Sequence, residues 1–137
     1  MAFPRRLWHA PGNPTPKMKR VEIFTVDTTH VAVVIHTVGP VWQEGSHGED
    51  ERLASCHRVA LQIAERHGLN SIAFPAISCG IYAFPVERAA EVVMRTMAEE
   101  LPRCPTIKRV LFGVREGPVE TAFRSARADQ RSAGARG

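Results

Sequence analysis

The residues best suited to chemistry sit in one stretch, Ser78-Cys79-Gly80-Ile81-Tyr82-Ala83-Phe84-Pro85. A glycine lets a ligand come close to the main chain and accepts unusual φ angles. Backbone amides of such a turn, at the start of a helix, favour an anion such as phosphate. Ser78 can donate or accept a hydrogen bond, and Tyr82 and Phe84 can wall off a sugar or a base. Cys79, just ahead of a helix N-terminus, raises a second chemistry, that of a thiolate nucleophile, but the sequence places no histidine to act as its base. Joints between strands and helices also use glycine and proline for purely architectural reasons. Local composition therefore leaves anion binding and plain architecture both open.

The elements around this stretch give it a position. Residues 71–77 (SIAFPAI) read as a strand, and Pro85 suits the first position of a helix running to about residue 101. The stretch thus leaves the carboxyl end of a strand, where open α/β sheets bind ligands. Val86, Ala89, Ala90, Val93, Met94 and Met97 form the buried stripe of that helix. Upstream, residues 21–26 read as a strand. Residues 31–38 (VAVVIHTV) are a β-branched run that predicts a strand buried on both faces. His36 lies inside this strand and reads as a packed, hydrogen-bonded histidine rather than a catalyst. A helix over residues 49–67 follows, with Leu53, Cys56, Val59, Ala60 and Ile63 inward and Gly68 as its stop. Glu49, Asp50 and Glu51 occupy its first turn, where the helix dipole favours acids. Residues 107–114 predict another strand. Pro118 opens a short helix to about residue 127, with Val119, Ala122 and Phe123 inward. Strands alternating with helices imply an α/β sheet with right-handed crossovers.

Charge separates the ends from the body. Residues 1–20 carry five basic residues and no acid, and residues 124–137 carry four arginines against Asp129. These ends hold +8 of a net +4, so residues 21–123 carry −4. The expected organisation is an irregular basic arm (1–20), a folded body (21–127) and a disordered basic tail (128–137). Basic tails imply at most weak, salt-sensitive contact with nucleic acid. No apolar run approaches the ~20 residues of a membrane span, so no membrane partner is expected. The basic start has no apolar stretch behind it and does not read as a signal peptide; a cytoplasmic location is expected. Three cysteines without C-x-x-C spacing suggest neither a disulfide framework nor a zinc site. No metal or cofactor is expected.

Two segments resemble the macrodomain family. Val34-Ile35-His36-Thr37-Val38-Gly39-Pro40-Val41-Trp42, continued by Gly45-Ser46-His47-Gly48-Glu49, is similar to that family's VIHTVGPVW segment and the helix start after it. The run from Ser71 to Tyr82 is similar to its SIAFPAISTGIYGYP signature, with Cys79 where threonine is common and Ala83 where glycine is frequent. The resemblance covers residues 33–125, roughly two thirds of the chain. It implies a three-layer α/β/α fold with a mixed sheet and helices on both faces, here truncated, that binds ADP-ribose or an ADP-ribosylated protein. It implies that Ser78, Cys79, Gly80, Ile81 and Tyr82 hold the diphosphate and that Phe84 packs beside the sugar. The family's Asn-Ala-Ala-Asn segment and glycine-rich loop have no counterpart, so no catalytic residue is assigned and the family's hydrolase activity is not expected to carry over. Residues 21–33 admit two alignments. In one, residues 26–29 are a degenerate Gly-Asp-Ile-Thr turn, with Asp27 as an adenine contact and a large segment deleted after it. In the other, which needs no gap, the strand and turn lead directly into VIHTVGP and Asp27 is only a turn residue. A truncated sheet exposes an edge, so a homo-oligomer is expected. The alternative function is a degenerate scaffold that acts through such contacts without binding nucleotide.

Overall fold

The computed structural model describes residues 21–25 and 33–135. Three strands, β1 (Val21–Thr25), β2 (Ser71–Pro75) and β3 (Arg109–Val114), form a sheet in the order β1-β3-β2. Both pairings are parallel, with Val21 opposite Val110 and Ser71 opposite Arg109. Three helices accompany them: α1 (Glu49–Arg66), α2 (Val86–Glu100) and α3 (Pro118–Ala135). The fold class is α/β, as the alternating pattern predicts.

Side chains alternate across a strand, and this decides where the core lies. Val21 and Ile23 of β1, Ile72 and Phe74 of β2, and Val110, Phe112 and Val114 of β3 belong to one buried cluster with the apolar residues of all three helices. Phe112 lies at its middle, stacked on Phe74 at 5.4 Å and tilted against Phe123 of α3 at 5.6 Å. Truncating such a ring costs about 3–5 kcal/mol, enough to threaten a domain of ordinary stability. Ser71, Ala73 and Leu111 point to the opposite face and are also buried. The three described helices thus share one face, and a second helical layer is not among the described residues.

Helix α1 ends where Gly68 predicts, but its buried stripe is turned. Leu53, Ala54, Cys56, His57, Ala60, Leu61 and Ala64 are buried, whereas Val59 is exposed. The imidazole of His57 takes a core position against Phe74, at 4.9 Å. Polar identity hid it from a reading based on apolar spacing. Glu49 does more than face the helix dipole. It is buried, and its carboxylate accepts the backbone N–H groups of Gln43, Gly45 and His47 at 2.6–2.8 Å. Burial alone would raise its pKa; the loop amides outweigh that and hold it down at about 2.

Three expectations need correction. Residues 33–38 are not a strand: they pair with no neighbour among the described residues, and Val33, Val34 and Val38 are exposed. β-branched composition favours an extended chain, but a strand also needs a hydrogen-bonding partner. His36 is accordingly exposed rather than packed. Second, β1 pairs with β3 on the side away from β2, whereas residues 34–37 lie beside Ala73 and Phe74 of β2. Strands joined by a short turn are antiparallel neighbours, so the gap-free alignment of residues 21–33 is not what the chain adopts. Third, α3 continues through residues expected to be a disordered tail and ends at Ala135. Its alanines and long polar side chains are good helix formers. Arg124 and Arg127 also donate to the carbonyls of Ile23 and Val21 and tie the helix to β1.

Candidate ligand cleft

Because the sheet is parallel, β2 and β3 both end on the same side, and the loops after them form the walls of one cleft. The loop after β2 closes on itself. Cys79 donates its amide to Ala76, Ala83 to Gly80 and Phe84 to Ser78, at 3.0–3.2 Å. Two residues take left-handed conformations, Ser78 at φ 66° and Ala83 at φ 59°. The amides of Ser78, Gly80, Ile81 and Tyr82 meet no acceptor among the described residues. Cys79 differs from those four, since its amide already closes the turn.

Residues 33–42 brace this loop. Ser78 donates its hydroxyl to the carbonyl of Pro40 at 2.7 Å, and Trp42 donates its amide to the carbonyl of Tyr82 at 2.9 Å. The contact is so close that a Cβ on Gly39 would stand 2.3 Å from the Ser78 hydroxyl and 2.4 Å from Ile77. Trp42 packs on Phe84 at 4.9 Å, and the Arg88 guanidinium lies 5.0 Å from the Trp42 ring centre while chelating Asp50. Phe84 is only 2% exposed. Its ring anchors the loop to the core and presents little surface to a sugar, unlike the role implied by the resemblance. Ile81 is almost fully exposed and Tyr82 partly so.

Gly80 faces open space, with no atom within 4 Å of where a Cβ would stand, and its φ is not positive. Neither backbone strain nor a neighbouring atom therefore demands glycine there. The space beside it is a cavity of about 330 Å³ bounded by Pro75, Ala76, Cys79, Gly80, Gly113, Val114, Arg115 and Val119. That volume lies within the range of small-molecule sites, about 300–1,000 Å³. Burial pushes the Cys79 thiol up to about 11, opposite to the shift that a nucleophilic thiolate needs. The described residues that line the cavity include no carboxylate or imidazole.

The structure thus gathers Cys79 and Gly80 at one cavity, with Ser78, Ile81 and Tyr82 on the adjoining turn, and it withdraws Phe84. Asp27 lies outside the described residues. Sequence reasoning missed Gly113, Val114, Arg115 and Val119. The signal was available: the rule that ligands sit beyond strand ends applies to the end of β3 as much as to that of β2.

An open parallel sheet whose crevice lies past the carboxyl ends of its strands is an α/β ligand-binding architecture. A family model described as the Macro domain matches residues 11–93. This chain belongs to the macrodomain family. A macro domain-containing protein of Chlorobaculum tepidum is 53% identical over 79 residues, which are 58% of this chain and 46% of that protein. A Klebsiella pneumoniae protein named O-acetyl-ADP-ribose deacetylase is 48% identical over 81 residues, 59% of this chain and 46% of its own. The Oceanobacillus iheyensis macrodomain with ADP superposes with a TM-score of 0.65 at 27% identity, covering 72% of this chain and 51% of the other. The chain thus spans about half the length of these relatives.

Proposed function

We propose that this chain binds ADP-ribose, with the diphosphate on the turn of residues 78–82 and the nucleoside end in the cavity between the loops after β2 and β3. The observation that carries this reading is the vacant position beside Gly80, next to four amides that no acceptor among the described residues engages. An anion supplies acceptors for such amides. β1 ends at Thr25, whose partner Val114 is a wall of the cavity. An adenine contact by Asp27, which the resemblance implies, belongs to this proposal. The reading is of a binding module: the described residues that line the cavity include no carboxylate or imidazole, and burial holds the Cys79 thiol protonated.

Calorimetric titration with ADP-ribose, beside a Gly80→Glu variant, tests it. Because no contact or positive φ demands glycine at 80, the variant is expected to fold and to lose the ligand. Affinity in the micromolar range, about −8 kcal/mol, is the expected outcome. A folded wild-type protein that gives no heat at millimolar ligand would sink the proposal.

One observation favours a second reading, a scaffold that self-associates. Residues 33–38 present exposed valines and no strand partner among the described residues, a template for pairing with another chain. Light scattering across a concentration series tests it; a monomer at every concentration removes it.

A further inference from the structure

Segments that expose unpaired backbone groups are commonly protected by charged side chains, which keep other chains from pairing with them. Residues 33–42 carry no such protection: the stretch VVIHTVGPVW contains no aspartate, glutamate, lysine or arginine. No backbone N–H or C=O of residues 34–37 meets a partner among the described residues. The segment is nevertheless fixed to the body. The Ser78 hydroxyl and the Cys56 thiol donate to the carbonyls of Pro40 and Val38, at 2.7 and 3.1 Å, and Ile35 packs against the core. Apolar surface lies open around it. Val38 is 82% exposed, and Val34 and Val41 are each 49% exposed. Val59 of α1, also exposed, follows Cys56 by three residues and so shares its flank of the helix.

We propose that residues 33–38 pair antiparallel with the same residues of a second copy of this chain, across a twofold axis. Val34, Val38, Val41 and Val59 are then covered by the partner. This rests on the self-association reading above and adds the surface, its occupant and the symmetry. A β-branched segment suits a strand, and pairing with its own copy satisfies both chains at once, since each supplies the neighbour that the other lacks. The absence of charge also favours that occupant. Identical segments meet here without like-charge repulsion, whereas an acidic or basic partner would find no opposite charge to recognise. Interfaces of standard size use roughly 20–30 residues a side. This one is smaller, so the dimer is weak and depends on concentration.

Sedimentation velocity of wild type and Val38→Lys over a concentration series is the test, with amide hydrogen exchange of wild type at both ends of the series. Val38 is so exposed that lysine there leaves the packing undisturbed; circular dichroism checks the fold. The expected result is a wild-type dimer that Val38→Lys weakens roughly 10-fold or more, because the substitution enters a twofold interface twice. Exchange protection of residues 33–38 should rise with concentration, while that of Val21–Thr25 stays the same. A dimer that Val38→Lys leaves intact, or one that leaves exchange at residues 33–38 unchanged, overturns the proposal; self-association then stands through another surface. A wild-type monomer at every concentration overturns both.

Discussion

The hydroxyl of Ser78 and the carbonyl of Pro40, 38 residues apart in sequence, are joined at 2.7 Å in the interior. This bond fixes the cleft turn to the segment that precedes α1. Ser78→Ala leaves the carbonyl without that donor, and an unsatisfied buried acceptor costs about 1–3 kcal/mol. Gly39→Ala should cost a similar ~1–3 kcal/mol by overpacking, since its new methyl collides with Ser78 and Ile77. Urea denaturation of both variants is the check. Midpoints equal to wild type would mean that the two segments are not held together in solution.

Ala83 stands at φ 59°, a conformation that costs an L-residue with a Cβ about 1 kcal/mol or more. Ala83→Gly should therefore stabilise the protein by ~0.5–1 kcal/mol despite the added freedom of the unfolded chain. A thermal melt reads this directly, and a lowered Tm would refute the left-handed assignment.

His57 is fully buried against Phe74 and Phe112. Its Nδ1–H donates to the Leu53 carbonyl, while Nε2 has no partner among the described residues. Burial lowers its pKa from 6.5 to about 4. Between these values the unfolded chain binds a proton that the folded protein refuses. The contribution of His57 is therefore complete above pH 6.5 and declines as the pH falls toward 4. His57→Phe keeps an aromatic ring in the core and should flatten that limb of the stability profile. An unchanged slope between pH 6.5 and 4 in the variant would assign the acid sensitivity elsewhere.

Glu49 governs a lower window. Its ordinary value of 4.5 is depressed to about 2: burial, which opposes this, is overcome by the three loop amides. Its stabilising effect is present above pH 4.5 and lost as the pH falls to about 2. Glu49→Gln should lower the Tm at pH 7 and remove this window, because a neutral amide accepts those N–H groups less strongly. Chemical-shift titration of the Gln43, Gly45 and His47 amides would locate the transition.

Much of the fold was legible because local signals agreed with tertiary placement. Gly68 closes α1, Pro85 and Pro118 open α2 and α3, and the SIAF and RVLF runs became β2 and β3. The turn of residues 78–84 was legible as the joint that follows a strand and opens a helix. What failed depended on partners distant in sequence. Residues 33–38 have every strand preference and no neighbour to pair with among the described residues, and preference cannot report a missing neighbour. Phe84 looked available because it lies in a loop, yet its ring turns inward to Trp42, 42 residues before it. His57 was passed over because apolar spacing treats a ring with two nitrogens as polar, although packing treats it as a ring.

The guanidinium groups of Arg124 and Arg127, resting on the carbonyls of β1, have a consequence for assembly. They give the sheet a guarded border and an unguarded one. A strand arriving beside β1 would have to displace two cations from the oxygens it needs, whereas β2 has no such sentries among the described residues. Access to this sheet is thereby polarised: of its two borders, the one at β2 is the one that a further strand could reach without displacing these cations.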